Sequence, residues 1–136
     1  DIDGLNGWSV SGIGNPHLVI SLDIERKLIK NDYSNIFEKA SMNEAFPFGV
    51  NVHFIKRINK LGEYFIDTYE RGVGRTLSCG SGSLASSVCI NTKIEKNIEN
   101  IRTQSEGGVL EVSFGEDFLV CRGPAEKMFD GFLEFF

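Results

Sequence analysis

The chain has 136 residues, and its 14 Lys and Arg against 19 Asp and Glu give a formal net charge of −5. A single domain is the expectation for this length, and 41% hydrophobic residues, 11 of the side chains being Phe, exclude a disordered chain. The acidic balance argues against nucleic acid as a partner, because no surplus of basic residues is there to neutralise phosphates, and the apolar runs are too short to span a bilayer. Residues 8–13 alternate weakly and lead into a turn at Gly14-Asn15-Pro16. Residues 17–22 read as a strand. Residues 24–40 have helical spacing, with Ile24, Leu28 and Ile29 on one side and Ile36, Phe37 and Ala40 on the following turns. The stretch 43–49, which contains Pro47, reads as a loop.

Residues 51–58 and 63–70 read as two strands, joined through Asn59-Lys60-Leu61-Gly62 as a hairpin. In the second strand Tyr64, Ile66, Thr68 and Glu70 share one face, and Phe65, Asp67 and Tyr69 the other. Residues 83–91 read as a helix of small residues whose polarity comes from Ser and Asn alone, so burial is expected. Residues 109–114 and 117–123 read as strands about a turn at Gly115. Residues 125–135 are ambiguous: Ala125, Met128 and Phe129 would share a helix face, but the punctuation by Pro124 and Gly131 favours a further strand. The sum is one mixed α/β (α+β) domain, 1–136, with many short strands around a buried helix.

Cys79, Cys89 and Cys121 are odd in number and widely spaced, and His17 and His53 are far from all of them in sequence. This is neither a disulfide framework nor a zinc site, and it suits a reducing compartment such as the cytoplasm. Two of the three thiols are expected to be inert core residues. No basic-then-apolar leader opens the chain, and its start at Asp1 is what a trimmed product or excised piece would show.

The informative segment is 69–83, YERGVGRTLSCGSGS, in which Gly72, Gly74, Gly80 and Gly82 lead from a strand into a helix. It contains no P-loop, no dinucleotide fingerprint and no G-x-S-x-G elbow. Free N–H groups at Gly80, Ser81 and Gly82 would make an anion site at the helix start. Cys79, just before them, would have its thiolate stabilised, so its pKa is expected to fall below the ordinary value. Gly-rich strand-to-helix turns also serve purely structural ends, and the residues alone leave both readings open. The same holds elsewhere. Asn15 is a turn former that could also bind a carboxylate or ammonium. His17 is either a structural histidine or a neighbour that tunes a thiol. Asn51 opens a strand and could pair with a zwitterion. Glu70 and Arg71 are either solvated or grip an ammonium and a carboxylate.

GNPH at 14–17, GVNVHF at 49–54, YERGVGRTLSCGSG at 69–82, GGVLEV at 107–112 and RGPAEKMFDG at 122–131 resemble, in order, the carboxy-terminal half of diaminopimelate epimerase. The resemblance implies a mixed, largely antiparallel sheet curled into a barrel-like wrap around a central buried helix. It implies an isomerase that interconverts LL- and meso-diaminopimelate without pyridoxal phosphate, other cofactor or metal, in lysine and peptidoglycan precursor synthesis. Two cysteines, one from each of two similar domains, would face each other across the α-carbon. Cys79 would be the catalytic thiol of this half. Asn15, Asn51, Glu70, Arg71, Gly80 and Ser81 would contact substrate, and His17 and Glu70 would tune the thiol. The N-C-G-N-G-type motif of the amino-terminal half is absent from this sequence, so the partner expected is that missing domain, and negligible activity is expected of this chain alone. Family members are often dimers. A related isomerase with another substrate, or a binding domain that kept the fold, are the alternatives. Arg75, where an acidic residue is common, and Ser83-Leu84, in place of a more usual Ala-Cys, depart from the pattern.

Overall fold

The computed structural model describes residues 4–25 and 33–135. Its elements in chain order are β1 (Trp8–Val10), β2 (His17–Ser21), α1 (Tyr33–Ser41), β3 (Asn51–Arg57), β4 (Glu63–Glu70), β5 (Gly74–Thr76) and α2 (Gly80–Cys89). A π-helical turn (Ile90–Ile94) extends α2, and β6 (Asn100–Ser105), β7 (Gly108–Phe114) and β8 (Leu119–Arg122) follow. One eight-stranded sheet has the order β1-β2-β3-β4-β6-β7-β8, with β5 paired to β4 off this path. The pairs β2–β3 and β4–β6 are parallel and the rest antiparallel. Parallel neighbours need a crossover, and the two helices lie in these two connections.

Helix α2 packs against β1, β2 and β3 and also against β6, β7 and β8. A flat sheet could not bring strands from both of its ends to one helix, so the sheet curls around α2. The expected wrap around a buried helix is present. Leu18, Ile20, Val52, Phe54 and Tyr69 face α1, where Tyr33 stacks on Phe54 with centroids 4.0 Å apart. Val19, Ile55, Tyr64 and Ile66 face the α2 side and pack with Cys89, Ile90 and Ile101. With both faces covered, β2 is buried along its whole length, as central strands of this kind must be.

Several expectations need correction. The helix read over 24–40 forms at Tyr33–Ser41; Ile24 lies outside it, exposed, and Leu28 and Ile29 fall outside the described residues. Strands β5 and β6 carried little signal. In β6 only Ile101 and Thr103 are buried, between polar neighbours. The strand read at 125–135 does not form. Residues 123–135 have neither helix nor strand and are exposed, among them Met128, Phe129, Phe132, Leu133 and Phe135. The ladder with β7 stops at Arg122, Pro124 has no N–H to extend it, and these side chains meet no apolar surface of the described chain. No helix among the described residues is long and apolar enough to cross a membrane.

Candidate active site

Cys79 is the N-cap of α2, with extended backbone at φ −144° and ψ 111°. Its carbonyl accepts the Ser83 N–H at 2.9 Å, and its Sγ accepts the Gly82 N–H at 3.4 Å. A small polar atom at this position replaces one of the acceptors that a helix start lacks. Helical geometry gives the Gly80 and Ser81 N–H groups no partner within α2, so they remain available to an anion at the positive end of the helix dipole. Ser81 Oγ lies 3.4 Å from the sulfur.

Glu70, the last residue of β4, faces the same sulfur. The thiol donates to its Oε2 at 3.5 Å, while Thr76 Oγ donates to its Oε1 at 2.7 Å. The hairpin between β4 and β5 makes this possible, because Glu70 pairs with Gly74 and Thr68 with Thr76. Thr76 was not foreseen; its register opposite β4 is the signal that would have revealed it.

Arg71 continues from Glu70 and gathers the two asparagines. Its backbone N–H donates to Asn51 Oδ1 at 2.8 Å, its Nη2 donates to Asn15 Oδ1 at 2.9 Å, and its Nη1 donates to the Phe48 carbonyl. Gly49 lets the arginine stem pass, since a Cβ there would lie 2.7 Å from Arg71 Cδ, and its φ of +79° suits glycine. Asn15 and Arg71 are exposed and Asn51 is buried. Cys79, Glu70, Arg71, Asn15 and Asn51, together with Gly80 and Ser81, thus form one connected set at one end of the sheet. His17 does not touch the sulfur. Its ring nitrogens face His53 and the Ile13 carbonyl.

The expected fall in the Cys79 pKa is not found. Burial pushes the thiol up, and the Glu70 carboxylate adds to this; hydrogen bonds from Ser81 and the Gly82 N–H pull the other way and are outweighed. Desolvation is invisible in a sequence, whereas the Gly-rich turn leading into α2 was visible. Cys89 is the inert core thiol, pushed up to about 11 by burial. Cys121 is exposed on β8, against the expectation of a second core thiol. All three cysteines are free.

The departure at Arg75 has a local reason. Its guanidinium forks onto buried Asp67, with Nε 2.8 Å from Oδ1, and onto Glu106, with Nη2 2.6 Å from Oε1. With the Gly107 N–H donating to the Leu77 carbonyl at 2.8 Å, this ties the approach to Cys79 onto the β6–β7 turn. Hollows of about 520 and 500 Å³ flank α2, one lined by Ile13, Leu84 and Phe118 and the other by Trp8, Val88 and Cys89. Neither includes the residues that converge on Cys79. Among the described residues, no group of three His, Cys, Asp or Glu is arranged to hold a metal ion.

A family model described as diaminopimelate epimerase matches residues 9–128. The diaminopimelate epimerase of Methanocaldococcus jannaschii is 35% identical over 125 residues, which is 90% of this chain and 42% of that protein. That of a Hydrogenobaculum species is 38% identical over 128 residues, 90% of this chain and 44% of that protein. The chain spans less than half the length of these curated relatives. Among solved structures, a putative phenazine biosynthesis PhzC/PhzF protein from Clostridium difficile aligns with a TM-score of 0.62 at 22% identity, covering 85% of this chain and 40% of that one. A PhzF family protein from Enterococcus faecalis gives the same TM-score at 18% identity, again with 85% and 40% covered. At such identities the likeness concerns the fold alone.

Proposed function

The chain belongs to the diaminopimelate epimerase family, and from that premise we propose that it forms one wall of a two-thiol site that inverts the α-carbon of diaminopimelate without a cofactor. The observation that carries this reading is the position of Cys79 Sγ, capping α2 within 3.5 Å of Glu70, next to unspent N–H groups and the Arg71 cluster.

Inversion needs a base on one face of the carbon and an acid on the other. A thiolate takes the α-proton, negative charge spreads into the substrate carboxylate, and a thiol returns a different proton to the opposite face. The α-proton is only weakly acidic, so the developing charge requires fixed dipoles, and the start of α2 would supply them here. Arg71 with Asn15 and Asn51 would hold the carboxylate and ammonium that do not react, and Glu70 would take part with them. The raised pKa of Cys79 fits the protonated partner at rest, the thiol that donates. Glu70 tunes it by contact; His17 would act only through the field it shares with Glu70. The second thiol would come from an amino-terminal domain, and closure of the two walls would exclude water. The setting proposed is the cytoplasm, which keeps thiols free.

The test joins this chain to an amino-terminal domain carrying an N-C-G-N-G-type motif and follows LL- to meso-diaminopimelate conversion. The two-domain protein is expected to turn over, and neither this chain alone nor the Cys79→Ala two-domain protein is. Turnover by the Cys79→Ala protein would reject the assignment. A folded two-domain protein that binds but does not convert diaminopimelate would instead favour a binding role.

A further inference from the structure

Three buried polar side chains on neighbouring strands form a hydrogen-bonded row, of which the chemistry above uses only His17. His17 Nδ1 lies 2.8 Å from His53 Nε2, and His53 Nδ1 lies 3.1 Å from Thr68 Oγ. At the other end, His17 Nε2 lies 3.3 Å from the Ile13 carbonyl oxygen. Both imidazoles are 0% exposed. The row crosses β2, β3 and β4 on the side that faces α2, and the His53 ring rests on Gly82, where a Cβ would lie 2.7 Å from its Nδ1.

The proton positions follow from one atom. A carbonyl oxygen only accepts, so the bond to Ile13 requires hydrogen on His17 Nε2. In the neutral ring His17 Nδ1 is then an acceptor, and His53 Nε2 must donate to it. His53 Nδ1 is left as an acceptor, and the Thr68 hydroxyl donates to it. Reversing the row would break the Ile13 bond or demand a second proton on His17, which its burial opposes. His53 is kept neutral as well, since burial and the neighbouring His17 hold it down to about 3.

The row also touches the site at two places. His17 directly follows Asn15-Pro16, and the Pro16 carbonyl accepts the Asn51 N–H at 3.0 Å. Gly82, under the His53 ring, donates its N–H to Cys79 Sγ. We propose that His53 is a positioning residue: as a neutral Nε2–H donor it locks His17 in one tautomer and so fixes the Asn15 turn against the first turn of α2. His53 touches no reacting atom. Its consequence for substrate binding rests on the epimerase reading, whereas the tautomer does not.

Long-range proton–nitrogen correlation spectra of the ¹⁵N-labelled chain at neutral pH read the tautomers directly. Both rings are expected to show a protonated Nε2 and a bare Nδ1. Hydrogen on His17 Nδ1 would overturn the proposal. His53→Gln keeps a donor and should leave the His17 tautomer unchanged; His53→Leu removes it. In the two-domain protein His53→Leu should raise KM about tenfold, the scale of one lost hydrogen bond, with kcat little changed, and His53→Gln should restore most of it. A glutamine variant no better than leucine would overturn the proposal, and so would a leucine variant with unchanged KM. If the leucine variant does not fold, the His17 tautomer in His53→Gln decides, since a switch to Nδ1–H there refutes the donor role. A two-domain protein without turnover, but with both rings as expected, would reject the epimerase reading and leave this one standing.

Discussion

Between pH 6.5 and about 3 the unfolded chain binds a proton at His53 that the folded chain refuses, because burial and the neighbouring His17 hold the folded imidazole at about 3. The unfolded state therefore carries more protons in that window, and stability falls as the pH is lowered through it. The full shift, from 6.5 to about 3, corresponds to roughly 4–5 kcal/mol, arriving at no more than about 1.4 kcal/mol per pH unit. That is a large share of the 5–15 kcal/mol or so that holds an ordinary domain together. His53→Gln removes this proton while keeping a donor toward His17. Urea unfolding of both proteins at pH 7, 6, 5 and 4 should give stabilities that diverge below pH 6, the native sequence losing about 1.4 kcal/mol more per unit than the variant. His17, whose pKa is lowered in the same direction, is present in both proteins. Parallel curves from pH 6 to 4 would refute the reasoning, since they would mean that the folded His53 titrates as freely as the unfolded one.

Two stability predictions concern α2. Gly82→Ala places a methyl group in the His53 imidazole, and with β2 and β4 on either side of His53 the ring cannot step away; a loss of about 2–3 kcal/mol by urea unfolding is expected. Ser86 Oγ is buried without a hydrogen-bond partner, so Ser86→Ala should remove an unsatisfied hydroxyl and improve helix propensity, raising stability by about 1 kcal/mol and the melting temperature by a few degrees. An unchanged or lower melting temperature would contradict it.

Much of the fold was legible because its central strands are unusually plain. The runs at 51–58 and 63–70 differ from β3 and β4 by one residue at most, and the alternation of Tyr64, Ile66 and Thr68 correctly marked one face. The small residues of α2 correctly announced burial. The residues before it were harder, since Gly80 and Gly82 are poor helix formers and place the true start three residues earlier than propensity does. Residues 125–135 are rich in apolar side chains but find no strand to pair with among the described residues, and pairing is not a local property. At the site, the Gly-rich turn and the order of Glu70, Arg71 and Cys79 pointed to one cluster, and the geometry gathers it. The direction of the Cys79 pKa was not legible, because burial of the sulfur depends on the whole wrap. The partnership of His17 with His53 was not legible either. It depends on a parallel register that sets His17 opposite Asn51, two residues from His53.

The central claim is that the Cys79 sulfur exchanges a proton with the α-carbon of the substrate. The most direct measurement is deuterium incorporation at that carbon in D₂O, comparing the two-domain protein with its Cys79→Ser variant after circular dichroism shows both to be folded. Loss of incorporation into the inverted stereoisomer by roughly two to four orders of magnitude is the predicted result. Equal incorporation by the folded serine variant would contradict the account.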